Sequence, residues 1–303
     1  MKYFIAIPTY QGGQLWKKTV ASIQRYVPEG VRVQIIDSSS QDETQTVAEQ
    51  AGFATLTISS QAFNHGGTRN QCVEMQHSQY DVVVFLTQDA IPEAGFVEEL
   101  IAAFTDSRVA CAYGRQLPHL DANPIAAHAR HFNYPSQAWQ GGIASVAERG
   151  LKTVFMSNSF SAYRISVFKE LGGFPSDTIL CEDMYYTAKA VAAGYEVAYV
   201  PEAKVRHSHN YTASEEFRRY FDIGVFHANN PWIRQQFGAA TGEGKRFLLS
   251  ELRYLAKHGL GYLPQAMLNN AMKFLGYKLG QWYRSLPDAM IKRCSMHRHY
   301  WQD

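Results

Sequence analysis

The feature that most constrains the fold is a series of apolar runs in the first 115 residues, each followed by polar or acidic residues. DVVVFLTQDAIP, residues 81–92, is apolar almost without interruption and carries an acid near its carboxyl end. Continuous runs of this kind are typical of strands buried on both faces of a parallel sheet. Strand patterns also occupy residues 2–8, which end at a turn-forming proline, 31–40 and 55–59.

Helical patterns separate these strands. Apolar residues with helical spacing occupy residues 15–27, a second helix is predicted over 42–52, and a third over 70–78 after the glycine-containing loop FNHGGTRN. Alternating strand and helix units predict a doubly wound α/β structure with right-handed crossovers.

Ligands bind such sheets at the carboxyl ends of the strands. Pro8, Thr9 and Tyr10 follow the first apolar run, Asp37 follows the second, and Asp89 follows the run at 81–92. We therefore expect these residues to line one crevice.

The rest of the chain predicts a second block and a tail. An apolar segment begins near residue 109, and a stretch rich in His and aromatic residues, 118–150, follows it. The expected domains are a catalytic domain, 1–240, with halves 1–115 and 116–240, and a basic helical extension, 241–303. The extension carries ten Lys and Arg against four Asp and Glu, a net charge of +6.

Composition excludes several classes of protein. With 46% hydrophobic and 18% charged residues the chain is neither disordered nor fibrous. Its formal charge of +2 argues against a nucleic-acid-binding protein. The four cysteines contain no CxxC pair, which favours a reducing cytosol over a zinc site or a disulfide framework. The amino-terminal apolar run is too short for a signal peptide, and no segment offers about 20 uninterrupted apolar residues, so we expect a cytoplasmic protein.

Three groups of residues carry candidate chemistry. Asp89 could hold a divalent cation or merely cap the turn before Pro92. The adjacent Glu182 and Asp183 lie at the start of a helix. There they could stabilise the helix by interacting with its dipole, or one of them could act as a general base. His207 and His209 point to the same side if the backbone is extended, so an imidazole could complete a metal site with Asp89; alternatively they are surface or core histidines.

FNHGGTRN is an anion-binding candidate. Its glycines permit close backbone approach to an anion, and the Arg69 guanidinium can pair with phosphate. Asn64 and His65 could donate or accept hydrogen bonds there. The sequence contains no GxGxxG, GxxxxGKS, HExxH or GxSxG, which argues against a dinucleotide dehydrogenase, a P-loop kinase, a zincin and an α/β-hydrolase.

The chain resembles family 2 glycosyltransferases of the GT-A fold in the order of five segments: IPTYQGG, IIDSSSQDET, FNHGGTRN, FLTQDAIP and CEDMYYTAKAVAAGYEVAYVPEAKVRHSH. Within that family it is similar to bacterial rhamnosyltransferases that build O-antigen and other surface polysaccharides. The resemblance covers nearly the whole chain. With it, 1–115 is the expected nucleotide-binding half and 116–240 the expected acceptor and catalytic half, with 118–150 as the acceptor side. It implies a GT-A, Rossmann-like, doubly wound mixed sheet with a mostly helical C-terminal extension.

The resemblance also implies roles for individual residues. Asp183 matches the usual catalytic base, with Glu182 beside it. Asp89 matches the last acid of the DxD metal motif. His207 matches the histidine that often completes this site with Mg²⁺ or Mn²⁺, and its neighbour His209 is the alternative ligand. The residues it implies for the nucleotide-sugar donor are Pro8, Thr9, Tyr10, Asp37, Asn64, His65, Gly67, Arg69 and Gln88.

One departure from the family pattern concerns the metal. Thr87 replaces the first acid of DxD, with Gln88 in the middle position, so metal binding is expected to be weaker or the diphosphate to depend more on Arg69.

The implied reaction is a single inverting displacement on dTDP-β-L-rhamnose, with a polyprenyl-diphosphate-linked saccharide as the expected acceptor. The alternatives are transfer of another sugar from a UDP-sugar, a non-catalytic carbohydrate-binding relative, and a nucleotidyltransferase, which would need a basic glycine-rich loop that PTYQGGQLWKK lacks. The tail interleaves basic and aromatic residues, a pattern that fits either peripheral contact with the inner membrane or internal packing and a homodimer.

Overall fold

A computed structural model describes residues 1–238 and 242–301. The strands are β1 (Tyr3–Thr9), β2 (Val33–Asp37), β3 (Ala54–Thr57), β4 (Val82–Leu86), β5 (Ile91–Pro92), β6 (Val109–Leu117), β7 (Trp139–Gly141), β8 (Phe160–Arg164) and β9 (Glu196–Arg206). The α-helices are α1 (Gly13–Tyr26), α2 (Thr44–Gln50), α3 (His65–Gln76), α4 (Phe96–Ala102), α5 (Pro124–Asn133), α6 (Val146–Arg149), α7 (Ile165–Glu170), α8 (Glu182–Ala192), α9 (Ala213–Asn229), α10 (Pro231–Phe237), α11 (Glu243–His258), α12 (Leu263–Gln281) and α13 (Asp288–Cys294). The predicted domain boundary at 240/241 lies outside the described residues, so the division into domains stays a prediction.

The strands form one mixed sheet in the order β3-β2-β1-β4-β8-β6-β9-β5, with β7 paired to β9. β3, β2, β1 and β4 are parallel, and β8 lies antiparallel between β4 and β6. Every residue of β2 and β4 is buried. The continuous apolar runs therefore predicted the central parallel strands correctly.

The core lies on both faces of this sheet. Phe4 and Ala6 of β1 pack on one face with residues of α3, α7 and α8. Ile5 and Ile7 pack on the other face with residues of α1 and α4. Because successive strand residues point to opposite faces, β1 needs apolar residues at each of these positions.

The predicted strand boundaries differ from the structure, and in two places its contacts give the reason. The strand predicted over 81–92 ends at Leu86, because a turn in which the Ala90 amide donates to the Thr87 carbonyl breaks it before β5. β1 continues past Pro8 to Thr9. Pro8 lies beyond the last residue of β1 that pairs with β4, so that neighbour does not need the amide that proline lacks.

The helix predicted over 70–78 begins at His65, so most of FNHGGTRN is helical rather than a loop. Asn64 caps this helix, and its side-chain oxygen accepts hydrogen bonds from the amides of Gly66 and Gly67 at 3.1 and 2.7 Å. A Cβ atom on Gly66 would lie 1.9 Å from the Pro175 carbonyl oxygen. The glycine therefore permits close approach of another main-chain segment, a need that the motif alone did not reveal.

The C-terminal helices pack against the second half of the chain. α12 lies along α9, and a Cβ atom on Gly280 would lie 2.0 Å from the Phe221 carbonyl oxygen. α11 packs against α5 through Ile125 and Leu255. No helix among residues 1–238 and 242–301 has a stretch long and apolar enough to cross a bilayer.

Candidate active site

The carboxyl ends of β1 and β2 meet through Asp37. This carboxylate is fully buried and accepts hydrogen bonds from the Thr9 hydroxyl at 2.8 Å, from Ser40 and from the Gln45 amide. The oxygens of Asp37 fix the loops that follow the two strands. Gln11 in the first loop and Ser39 in the second both have positive φ, a conformation that costs free energy outside glycine and is common at functional sites.

Gln88 joins the turn after β4 to the loop after β1. Its side-chain oxygen accepts from the Tyr10 amide at 2.8 Å, and its nitrogen donates to the Tyr10 carbonyl at 2.9 Å. The Tyr10 side chain remains 53% exposed beside this link. The predicted donor residues Pro8, Thr9, Tyr10, Asp37 and Gln88 thus lie at one edge of the sheet.

Asp89, His207 and His209 form a candidate metal centre. The Asp89 Oδ2 atom lies 3.3 Å from Nε2 of His207 and 3.5 Å from Nε2 of His209. Their ligand atoms all lie within 4.8 Å of one another. One carboxylate and two imidazoles are ligands that Mn²⁺ accepts, whereas Mg²⁺ prefers oxygen alone, so the residues present fit a divalent transition metal.

The charges in this centre keep it ready for a cation. Burial works to raise the pKa of Asp89, but His207 and His209 outweigh it and hold that pKa well below its usual range. Burial, with His207 beside it, lowers the pKa of His209 to about 4. Near neutral pH the centre therefore offers an ionised carboxylate and a neutral His209 imidazole, the forms that bind metals.

Gln116 of β6 orients His207, a role that the sequence did not suggest. The Gln116 side-chain oxygen lies 2.9 Å from Nδ1 of His207 and accepts a hydrogen bond from Arg130 at 2.6 Å. An oxygen that only accepts takes a hydrogen bond from the proton on Nδ1, so Nε2 is the ring atom that faces Asp89. The Gln116 nitrogen donates to the Ser157 hydroxyl, one residue before Asn158.

Asn158 connects this chain of hydrogen bonds to the predicted acid pair. Its side-chain nitrogen donates to Glu182 at 2.8 Å, and its main-chain amide donates to Asp183 at 3.0 Å. Glu182 is buried and lies 3.2 Å from the Arg69 guanidinium. Burial works to raise the pKa of Glu182, but Arg69 and His65 outweigh it, so that pKa is lowered and Glu182 stays ionised.

Asp183 has the opposite electrostatic environment. Burial and the neighbouring Glu182 carboxylate raise the pKa of Asp183 to about 7, although the amides of Asn158 and Met184 donate to it. Cys181, which precedes the pair, has φ +60° and directs the chain into α8. Two adjacent carboxyls whose pKa values are pushed apart give one permanent anion and one proton acceptor near neutral pH.

The start of α3 borders the acid pair. Arg69 is buried, and its guanidinium contacts the Glu182 carboxylate and the His65 carbonyl. The His65 ring packs edge-on against His297, with ring centroids 4.8 Å apart. Asn64 and Gly67 form the cap of α3. Contact of Asn64, His65, Gly67 and Arg69 with the donor stays a prediction.

Two further residues at the site come from the C-terminal half and carried no sequence signal. His297 lies against His65, and the Asp222 carboxylate of α9 fixes its loop by accepting from the amides of Met296 and His297. Arg219, also on α9, works to lower the pKa of both His209 and Cys181, so its charge acts on the candidate metal centre and on the residue that precedes the acid pair. Among the described residues the Arg219 side chain has no salt bridge within 4.0 Å.

Comparison with solved structures defines the fold. The structure of mannosyltransferase PcManGT from Pyrobaculum calidifontis, in complex with GDP-Man and Mn²⁺, superimposes with a TM-score of 0.63 at 17% identity, over 94% of this chain and 88% of that chain. S. aureus TarS 1-349 in complex with UDP-GlcNAc gives 0.52 at 14% identity, over 94% and 92%. The fold is GT-A, as the sequence predicted.

Sequence comparisons then define the family. The profile described as Glycosyl transferase family 2 matches residues 4–172. O-antigen chain rhamnosyltransferase RfbN of Salmonella typhimurium is 50% identical over all of this chain and 97% of its own length, and WbaN of Salmonella anatum is 48% identical over 99% and 96%. The chain belongs to glycosyl transferase family 2 and is a glycosyltransferase.

Proposed function

We propose that the protein transfers L-rhamnose from dTDP-β-L-rhamnose, with inversion, to a hydroxyl of a polyprenyl-diphosphate-linked saccharide during synthesis of a cell-surface polysaccharide. The reaction takes place in the cytoplasm, at the inner face of the membrane that holds the acceptor. The full-length similarity to two O-antigen chain rhamnosyltransferases supports this choice of sugar and acceptor.

The observation that carries the proposal is the environment of Asp183. A carboxylate whose pKa is raised to about 7 is a stronger base than an exposed aspartate, and it titrates near the pH of the cell. Its neighbour Glu182 stays ionised against Arg69, so the two carboxyls take different roles. The hydrogen-bonded chain through Asn158 and Gln116 links this base to the metal centre.

The chemical step is a single displacement. Asp183 removes the proton of the acceptor hydroxyl, whose oxygen forms a bond to C1 of the rhamnose. The bond between C1 and the diphosphate oxygen breaks, dTDP leaves with the electron pair, and the proton remains on Asp183. Attack opposite the leaving group converts a β-linked donor into an α-linked product.

Charge on the departing diphosphate must be neutralised. Asp89, His207 and His209 would hold a divalent cation, Mn²⁺ in preference to Mg²⁺, which supplies positive charge to the diphosphate oxygens when bound. Arg219, which has no carboxylate partner among the described residues, supplies a second cation beside the centre. Arg69 would reach the donor only by sharing its guanidinium with Glu182.

The strand ends form the nucleotide side of the donor site in this proposal. The exposed Tyr10 ring offers a face on which the thymine base stacks. Thr9 and Asp37 shape the ribose pocket, Pro8 and Gln88 hold the two loops, and the cap of α3 at Asn64 and Gly67 lies toward the sugar. The stretch 118–150 is the proposed acceptor side.

The test is a donor panel with matched variants. Purified protein is incubated with dTDP-β-L-rhamnose, UDP-glucose or GDP-mannose and a lipid-linked acceptor, with Mn²⁺, Mg²⁺ or EDTA. We expect release of dTDP alone, dependent on the cation, and its loss in Asp183→Asn. Asp177→Asn, a substitution at an exposed position, is the control and should keep full activity. Release of UDP or GDP instead would overturn the proposed donor. Absence of nucleotide release with every donor would overturn the proposal that the protein catalyses sugar transfer.

A further inference from the structure

The C-terminal helices expose an unusual number of large apolar side chains. We define the C-terminal apolar face by its exposed residues: Leu248, Leu249 and Leu252 of α11, Met267, Leu268, Phe274 and Leu275 of α12, and Trp282 after α12. Met267, Phe274 and Trp282 are 68%, 61% and 71% exposed. Single exposed apolar residues need no explanation, but a group carried by α11, α12 and the residue that follows α12 marks an interaction surface.

The apolar side of α12 faces away from the protein. Met267, Leu268, Phe274 and Leu275 recur at helical spacing together with Ala271, and Lys278 is the charged residue in that stripe. The opposite side of α12, which carries Gly276 and Gly280, contacts α9 closely. Surface helices ordinarily turn their apolar stripe toward the core, whereas α12 turns its apolar stripe toward the solvent.

The segment that carries this face is basic. Residues 242–301 contain ten Lys and Arg against three acids. Two of the acids add little negative potential, because Glu243 pairs with Lys152 and Arg246, and Glu251 is buried. On α11 the leucines of the face alternate with Arg253 and other exposed cations.

We propose that the C-terminal apolar face binds the surface of a bilayer that contains anionic lipid. The exposed apolar side chains enter the interface between headgroups and acyl chains, and the surrounding Lys and Arg contact lipid phosphates. Charge complementarity decides between occupants: a second copy of the chain would bring two strongly basic surfaces together, whereas an anionic bilayer compensates them. The inference rests on the proposed function in one respect only, that the acceptor is carried by a membrane lipid.

The test is co-sedimentation with vesicles. Wild-type protein is mixed with vesicles of phosphatidylethanolamine and phosphatidylglycerol, or of phosphatidylcholine alone. We expect binding to the anionic vesicles, weakened by salt, and at least about a tenfold loss of affinity in the variant Leu268→Gln, Phe274→Gln, Leu275→Gln. Met75→Gln, an exposed methionine on α3, is the matched control and binds normally.

Two measurements keep the result independent of the catalytic proposal. Hydrolysis of the nucleotide-sugar donor in solution should be equal in the wild type and the triple variant, which also shows that the variant folds. Sedimentation velocity without lipid should give the same mass for both proteins. Equal vesicle binding by wild type and variant, absence of binding to anionic vesicles, or a wild-type dimer that the variant dissociates would each overturn the proposal.

Discussion

At the scale of single residues, the account depends on the protonation state of Asp183. Burial and Glu182 raise the pKa of Asp183 to about 7. A base acts only when ionised, so activity should be low below this pH and should rise as the pH increases through it. We expect kcat/KM to increase tenfold per pH unit on the acid side and to level off above about pH 8.

The measurement is a pH profile at saturating cation for wild type and Asp183→Asn. The variant should be about 10²–10⁴-fold slower and should lose the rise near pH 7. A variant that keeps the same rise would assign the titration to another group.

Gln116 tests the metal centre without changing a ligand. In Gln116→Ala, His207 loses the acceptor at its Nδ1 atom, so the imidazole is no longer held in one tautomer and orientation. We expect Mn²⁺ affinity to fall about 10–100-fold, measured by the electron paramagnetic resonance of free Mn²⁺. Gln140→Ala, a surface glutamine, is the control. Unchanged affinity in Gln116→Ala would show that Gln116 has no part in metal binding.

Sequence reasoning at this scale named carboxylates and histidines that the structure places in two clusters, because the segments that carry them resemble those of a known family. It could not find Gln116, Asn158, Arg219 or His297, because polar residues inside strands, helices and tails have no local pattern that distinguishes them from structural ones. Their roles arise from contacts between residues far apart in the chain, such as Gln116 with His207.

At the scale of elements, the start of α3 places the predicted donor residues. Gly66→Ala would force a Cβ atom to within 1.9 Å of the Pro175 carbonyl, a main-chain atom that cannot move alone. We expect the free energy of unfolding to fall by about 1–3 kcal/mol, measured by urea denaturation. Gly244→Ala, where a Cβ atom meets nothing within 4 Å, is the control. Equal stability of the two variants would contradict the described contact with Pro175.

Asp222 fixes the segment that carries His297. Asp222→Ala removes the acceptor of the Met296 and His297 amides, so we expect a loss of about 1–3 kcal/mol in stability and weaker donor binding. Asp222→Asn keeps an acceptor oxygen and is the matched control.

The same carboxyl predicts a pH dependence of stability. Burial raises the folded-state pKa of Asp222 to about 6, above the value of about 4 for an unfolded aspartate. The folded protein therefore binds the proton more tightly, and the contribution of this group to stability decreases as the pH rises from about 4 to 6 and is constant above. Urea denaturation at pH 4.5 and 7.5 should show a smaller decrease in Asp222→Asn than in the wild type. An equal decrease in both proteins would exclude Asp222 as its source.

The apolar runs predicted β2 and β4 correctly because a strand buried on both faces must be apolar throughout. They missed the turn at Thr87 to Ala90 and the early start of α3. In both cases tertiary contacts override local pattern: β9 pairs with β5 after the turn, and Pro175 contacts Gly66. The spacing of nearby residues therefore cannot predict strand and helix boundaries that depend on contacts with distant segments.

At the scale of the whole molecule, two halves cooperate. In the proposed reaction, the parallel strands β1, β2 and β4 carry the nucleotide side, and β6, α8, β9 and α9 supply the residues that orient the candidate metal centre and the proposed base. The C-terminal helices close the arrangement through His297 and present an apolar, basic outer face. A soluble donor on one side and a lipid-borne acceptor on the other are the substrates that this division suits.

The most direct test of the central claim is the anomeric configuration of the product. The purified protein is given dTDP-β-L-rhamnose and a lipid-linked saccharide acceptor, and the new linkage is analysed by nuclear magnetic resonance. A single displacement with Asp183 as base predicts an α-L-rhamnosyl product, formed by the wild type and not by Asp183→Asn. A β-linked product, or an α-linked product formed equally by Asp183→Asn, would contradict the account.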